Sequence, residues 1–204
     1  MKMSEVRKPG PKAKPGVKSR LIDAGLKVIG AGGYAATGIS DISDSASVAK
    51  GSFYHYFESK EAFGAAAVDS YFEKHRPYLL SILTDERHEP VERLRRYFQA
   101  RIEHFREIGF VGGCMLGNLG VEVSDHSDVI RSRLDVQFQQ WSDLFTSCIE
   151  EGQRSGSISD SLSAISLGRY LVSSWEGAIL RTRVEKTDRA FHEFLEFTFD
   201  RVLK

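Results

Sequence analysis

Apolar residues return every third or fourth position along nearly the whole of this chain, and no stretch alternates as a strand would. Leu21, Ala24, Gly25, Val28 and Ile29 make one stripe, stopped by the Gly32-Gly33 pair. Phe63, Ala67, Tyr71 and Leu80 lie on a long helical segment over 61–83, with a kink expected at Pro77. Val91, Leu94, Phe98, Ile102 and Phe105 mark the next helix, and 115–123 reads as a short one. Ile130, Leu134, Phe138, Trp141, Phe145, Cys148 and Ile149 share one face of a long helix ending at Gly156. Further helices are expected over 162–184 and 189–203. With two short helices inside 37–63, the fold class is all-α, about nine helices and no strand.

The last segment constrains the assembly. Phe191, Phe194 and Phe197 advance around the helix and Phe199 falls elsewhere again. A helix apolar on several sides is buried on several sides, so a second surface from another copy is expected.

Charge divides the chain. Seven Lys or Arg among the first twenty residues, against Glu5 alone, put net +6 on that end of a chain whose total is zero. A basic head on an acidic body implies that one end meets phosphate; a solvated, disordered tail is the alternative reading. The segment Arg7-Lys8-Pro9-Gly10-Pro11-Lys12 suits an arm laid in a minor groove. No apolar run approaches a membrane span of ~20 residues, and no apolar stretch follows the basic start as in a secretory signal. Two cysteines, Cys114 and Cys148, make no disulfide framework. The expected location is the cytoplasm.

Residues 37–63 read as two short helices around a tight turn. Ile39, Ile42 and Ala46 fall at helical spacing, with Gly38 or Ser40 as cap. Val48 plugs the turn, and a second helix from Lys50-Gly51 turns Phe53 and Phe57 inward while exposing Lys50, Ser52, Tyr54 and His55. This geometry seats a recognition helix in a DNA major groove. From Ala46 to Lys60 the pattern of small residue, Val, Gly, Tyr-His-aromatic-Phe and Ser-Lys resembles the DNA-binding domain of the TetR family of bacterial transcriptional regulators. Ser47 departs from the family's usual glycine, where the turn needs a left-handed residue, at ~1 kcal/mol of strain.

The resemblance implies DNA contacts by Thr37, Lys50, Gly51, Ser52, Tyr54, His55 and Lys60. Lys50 and Ser52 are suited to base edges or phosphate, Tyr54, His55, Lys60 and Thr37 to the backbone, and Gly51 to close approach. Tyr54 or His55 packing between helices is the alternative; Phe53, Tyr56 and Phe57 are expected in the core. The family's dimer, formed by the two C-terminal helices, would read a palindromic double-stranded operator with half-sites one helical turn apart.

Gly112-Gly113-Cys114-Met115-Leu116-Gly117-Asn118-Leu119-Gly120 and Trp175-Glu176-Gly177-Ala178-Ile179-Leu180-Arg181 resemble the acrylate-utilisation repressors and their electrophile-sensing cousins within that family. The resemblance implies either a small-molecule effector, acrylate-like or electrophilic, or covalent sensing at Cys114. A cysteine at a helix N-terminus is expected to favour thiolate, against the alternative of an inert buried thiol. Asn118, Tyr170, Trp175 and Arg181 are further effector candidates, Arg181 pairing with a carboxylate unless a salt bridge to Glu176 or Glu185 claims it. Cys148 is expected in the core.

Catalysis is not expected. No thiol–base–acid arrangement, phosphate-binding loop or metal-ligand spacing among the six histidines is present in the sequence. No cofactor and no metal is expected. A ligand-independent architectural DNA-binding protein is the other class, but it leaves the large body and its Gly-Cys stretch unexplained. The expected division is a basic arm over 1–17, a helix-turn-helix head over 18–63, and an effector-binding and dimerisation body over 64–204.

Overall fold

The structure, a computed structural model, describes residues 16–204; the basic arm lies almost wholly outside them. Among the described residues the chain is helical throughout: α1 (Val17–Gly32), α2 (Ile39–Ser45), α3 (Lys50–Phe53), α4 (Lys60–Leu83), α5 (Pro90–Glu107), α6 (Met115–Val123), α7 (Asp128–Ser155), α8 (Ala164–Glu185) and α9 (Arg189–Phe197). A π-helical turn over Thr198–Val202 closes the last helix.

Each boundary has a local cause. Gly33 and Gly156, both left-handed in φ, stop α1 and α7. Ser59, Ser127 and Ser163 accept backbone N–H groups at the starts of α4, α7 and α8. Pro77 is accommodated inside α4, which continues past it. Ser47 adopts the left-handed φ of 53° expected of the turn between α2 and α3.

The head packs α1, α2 and α3 around an aromatic nucleus. Phe53 and Phe57 rings lie 5.3 Å apart, and Phe57 meets Phe63 of α4 edge-on at 5.0 Å. Leu21 and Ile42 seal the same core. Fully burying a side chain of this size contributes ~1.5–3 kcal/mol, so the first turn of α4 belongs energetically to the head.

The body is built around Phe98, whose ring contacts Phe145 at 5.3 Å, Trp175 at 5.1 Å and Phe194 at 4.7 Å. Trp175 also stacks on Phe191 at 4.8 Å. The π-helical turn rotates Phe199 and Leu203 back into this core, whereas Phe197, still within α9, falls off the buried face. Phe197 is left 57% exposed, and Leu180 and Val184, one turn apart on α8, are 59% and 75% exposed. These uncovered apolar side chains lie on α8 and α9.

Candidate functional site: the helix-turn-helix surface and the body cavity

The DNA-facing candidates gather on one outer surface of the head. Lys50, Gly51, Tyr54 and His55 are exposed and Ser52 half-buried. The helical turn continues past α3 through Tyr56 N–H to Phe53 O and Phe57 N–H to Phe53 O, which anchors Phe53 and Phe57 inward. A Cβ on Gly51 would meet nothing within 4 Å. Packing inside the chain therefore does not demand glycine there.

Two of the expected contacts are placed otherwise. Thr37 is buried, and its hydroxyl donates to Gly33 O at 2.7 Å; it fixes the loop before α2 and presents no hydroxyl outward. Lys60 opens α4, but its ammonium turns onto the head's own loop, 3.3 Å from Ala35 O and 4.4 Å from the centre of the Tyr34 ring. Partial burial lowers the pKa of this lysine.

The body holds a cavity of about 50 Å³. At the ~10–15 Å³ that one water needs on this measure, it takes a few waters or a molecule of a handful of heavy atoms. Its walls are Tyr71, His75, Arg76, Tyr78 and Leu79 of α4, Tyr97, Arg101 and Phe105 of α5, Cys114 and Leu116 at the start of α6, Trp141 of α7, and Trp175 and Ile179 of α8. Cys114 caps α6, and the two glycines before it hold φ of 80° and 81°, a left-handed pair that only glycine adopts readily.

The surroundings of the thiol oppose the thiolate that its helix-end position implied. Burial first, and then the neighbouring Glu176 carboxyl, push the Cys114 thiol well above its ordinary range. Backbone N–H groups of Gly117 and Leu116 act in the opposite direction and are outweighed. Desolvation of an anion exceeds the pull of one short helix. Burial likewise raises Glu176 to about 6. A Cβ on Gly117 would lie 2.1 Å from a Glu176 carboxyl oxygen, so that glycine makes room for the carboxyl beside the thiol. Tyr71 also approaches Cys114, and its hydroxyl is pushed well up by burial.

Among the sequence candidates, the cavity brings together Cys114 and Trp175. Asn118 lies outside it, its amide donating to Gly112 O at 2.8 Å and its carbonyl accepting from Arg183 Nη1 at 2.7 Å. Tyr170 is half-buried against the core and does not line the cavity. Arg181 is exposed and paired with Glu185, its Nε 3.0 Å from the carboxylate; the salt-bridge alternative holds, and Arg181 is not a wall residue.

Two arginines border the cavity: the exposed Arg76 of α4 and the half-buried Arg101 of α5. The Arg101 guanidinium lies over the Phe105 ring at 5.6 Å, and no ion pair to it is found among the described residues. The signal of Arg101 in the sequence was only a position one turn before Phe105 on the α5 stripe. Trp141 brings a second unmet group: it is 7% exposed and its indole N–H has no hydrogen-bond partner among the described residues.

Comparison with known proteins settles the family. Residues 21–67 match the model described as bacterial regulatory proteins, tetR family, and residues 90–198 match the tetracyclin repressor-like C-terminal domain. This chain belongs to the TetR family. It is 40% identical over 191 residues, 94% of each chain, to the HTH-type transcriptional repressor DhaR of Mycobacterium sp. strain GP1. It is 34% identical to the transcriptional regulator AcuR of Cereibacter sphaeroides, over 89% of this chain and 82% of that one. The reduced form of Escherichia coli NemR superposes with a TM-score of 0.83 at 28% identity, over 90% of this chain and 96% of its own. As a TetR-family member the chain is a helix-turn-helix transcriptional regulator. Proteins of this family bind DNA operators and typically dimerise. Among the described residues no helix is long and apolar enough to cross a membrane.

Proposed function

We propose that the chain is a cytoplasmic, non-catalytic, homodimeric repressor that a small effector, seated in the body cavity, releases from a palindromic operator. Residues 18–63 form the DNA-binding head, with Lys50, Gly51, Ser52, Tyr54 and His55 at the groove. The body over 64–204 binds effector and pairs with a second copy through α8 and α9, covering Leu180, Val184 and Phe197. The naming of DhaR and NemR as repressors supports the sign of regulation.

The observation that carries the effector reading is the composition of the cavity. A small, aromatic-walled space holds an arginine with no carboxylate partner and an indole N–H with no acceptor. Such a pair suits a small molecule with a carboxylate or carbonyl oxygen. The cavity is also walled by α4, whose first residues lie in the head, so filling it acts on the helix that sets head spacing. A coupling of ~3 kcal/mol releases DNA more than a hundredfold.

Covalent modification of Cys114 is the second reading. Its support is that the thiol lines the same cavity and lies against the Gly117 and Leu116 N–H groups that stabilise an anion as it forms. Operator binding by wild type and Cys114→Ser, each with sodium acrylate and with N-ethylmaleimide, separates the readings. Release of both proteins by acrylate supports reversible binding. Release of wild type alone, with an adduct mass on Cys114, supports covalent sensing. Failure of both compounds removes this choice of effector.

A further inference from the structure

The loop joining α1 to α2 is held at both of its polar faces, from outside the head by Glu122 and from within it by Lys60. The Glu122 carboxylate, near the end of α6, accepts the backbone N–H of Tyr34 at 2.9 Å and that of Ala35 at 2.6 Å. The Ala35 carbonyl meets the Lys60 ammonium at the start of α4. A Cβ on Gly33 would come within 3.2 Å of the Glu122 carboxylate, so a side chain there would crowd the group that holds the loop.

The other end of α6 is the cavity wall, where Cys114 is the N-cap. Eight residues of helix span ~12 Å and behave as one stiff piece. One turn in from Cys114, Asn118 ties α6 to the Gly112 carbonyl and to Arg183 of α8. The helix therefore has one end on the cavity and the other on the head loop, with no flexible link between them. Charge-assisted hydrogen bonds from a carboxylate to two backbone N–H groups are among the stronger polar contacts available.

We propose that Glu122 is a positioning residue through which α6 sets the orientation of the DNA-binding head, by a route separate from α4. The inference rests on the reading that the cavity controls the head. The glutamate does not line the body cavity. It fixes the loop from which α2 starts, and a shift of α6 at the cavity reaches the helix-turn-helix through those two N–H groups.

Glu122→Gln is the sharpest test, because glutamine keeps the shape but turns an NH2 group toward one of the two N–H donors. Full-length wild type, Glu122→Gln and Glu122→Asp are compared on an operator selected by the protein itself, with and without sodium acrylate or N-ethylmaleimide. In the glutamine variant without any compound, operator affinity falls about tenfold, and the Tyr34 and Ala35 amides exchange about tenfold faster, as loss of a charge-assisted bond implies. Quenching of Trp141 and Trp175 by acrylate stays as in wild type, while the fold-release of DNA shrinks at least about fivefold; a purely structural role would not separate these two readouts. Aspartate, one methylene short, gives intermediate values and carries the test if the glutamine variant fails to fold.

An operator affinity within about twofold of wild type together with full release overturns the proposal. If neither compound releases wild type, the effector reading fails by itself, and Glu122 is judged on operator affinity and amide exchange alone. Unchanged values there overturn it equally.

Discussion

Replacing Glu176 by glutamine raises the stability of this protein at neutral pH, and the gain depends on pH in a way the structure specifies. Glu176 is largely buried beside Cys114, and desolvation lifts its carboxyl from the ordinary 4.5 to about 6. The native state thus binds this proton more tightly than the unfolded chain does. The stability contributed is fully present below about pH 4.5 and is lost as pH rises through about 6. Above that window a buried carboxylate is held at a penalty of about 2 kcal/mol, from a shift of about 1.5 units at ~1.36 kcal/mol each. Glutamine keeps an acceptor for the thiol without the charge and removes that penalty. Urea denaturation of wild type and Glu176→Gln at one fixed protein concentration measures it, since any self-association makes stability vary with concentration. The expected advantage of glutamine is about 2 kcal/mol at pH 7.5, about 1 kcal/mol at pH 5 and close to zero at pH 4. A difference that is constant across this range, or a glutamine variant less stable at pH 7.5, refutes the reasoning.

Other substitutions test other parts of the structure. Gly168→Ala puts a Cβ 2.3 Å from the Thr146 hydroxyl and 2.7 Å from the Ser142 carbonyl; thermal or urea unfolding should show a loss of about 1–3 kcal/mol as α7 and α8 are forced apart. Ser47→Gly relieves the left-handed residue of the helix-turn-helix turn and should raise stability by about 0.5–1 kcal/mol without weakening operator binding. Arg101→Met keeps the bulk of the cavity wall and removes its half-buried cation, leaving the exposed Arg76. Calorimetry should show acrylate affinity reduced at least about tenfold while operator affinity is kept.

Periodicity carried most of the fold, because a buried helical face leaves its mark every three or four residues whatever lies opposite. The helix over 115–123 and the stops at Gly33 and Gly156 stand where the pattern placed them. Spacing identifies the residues that share a face, however, not the face that meets a cavity. Arg181 and Arg101 are both arginines on amphipathic helices, and only packing decides that one pairs with Glu185 in solvent while the other lines the cavity. Cys114 shows a different limit. Its helix-end position is readable locally, but burial and a carboxyl 62 positions away set its protonation. The hold of Glu122 on Tyr34, across 88 residues, leaves no local trace at all.

Pro77 has a mechanical consequence for α4. Proline has no N–H to donate, so the helical hydrogen bond at that point is already missing. Bending there breaks nothing. Tyr71 and His75 on one side of this joint and Tyr78 and Leu79 on the other all border the cavity. Under the proposed effector reading, a molecule seated there would press on both arms of a lever beside the fulcrum. The arm from Pro77 back to Lys60 is about 25 Å long at ~1.5 Å per residue. A bend of about five degrees swings its far end by about 2 Å, enough to take a helix out of register with a groove whose contacts are set to a few tenths of an ångström.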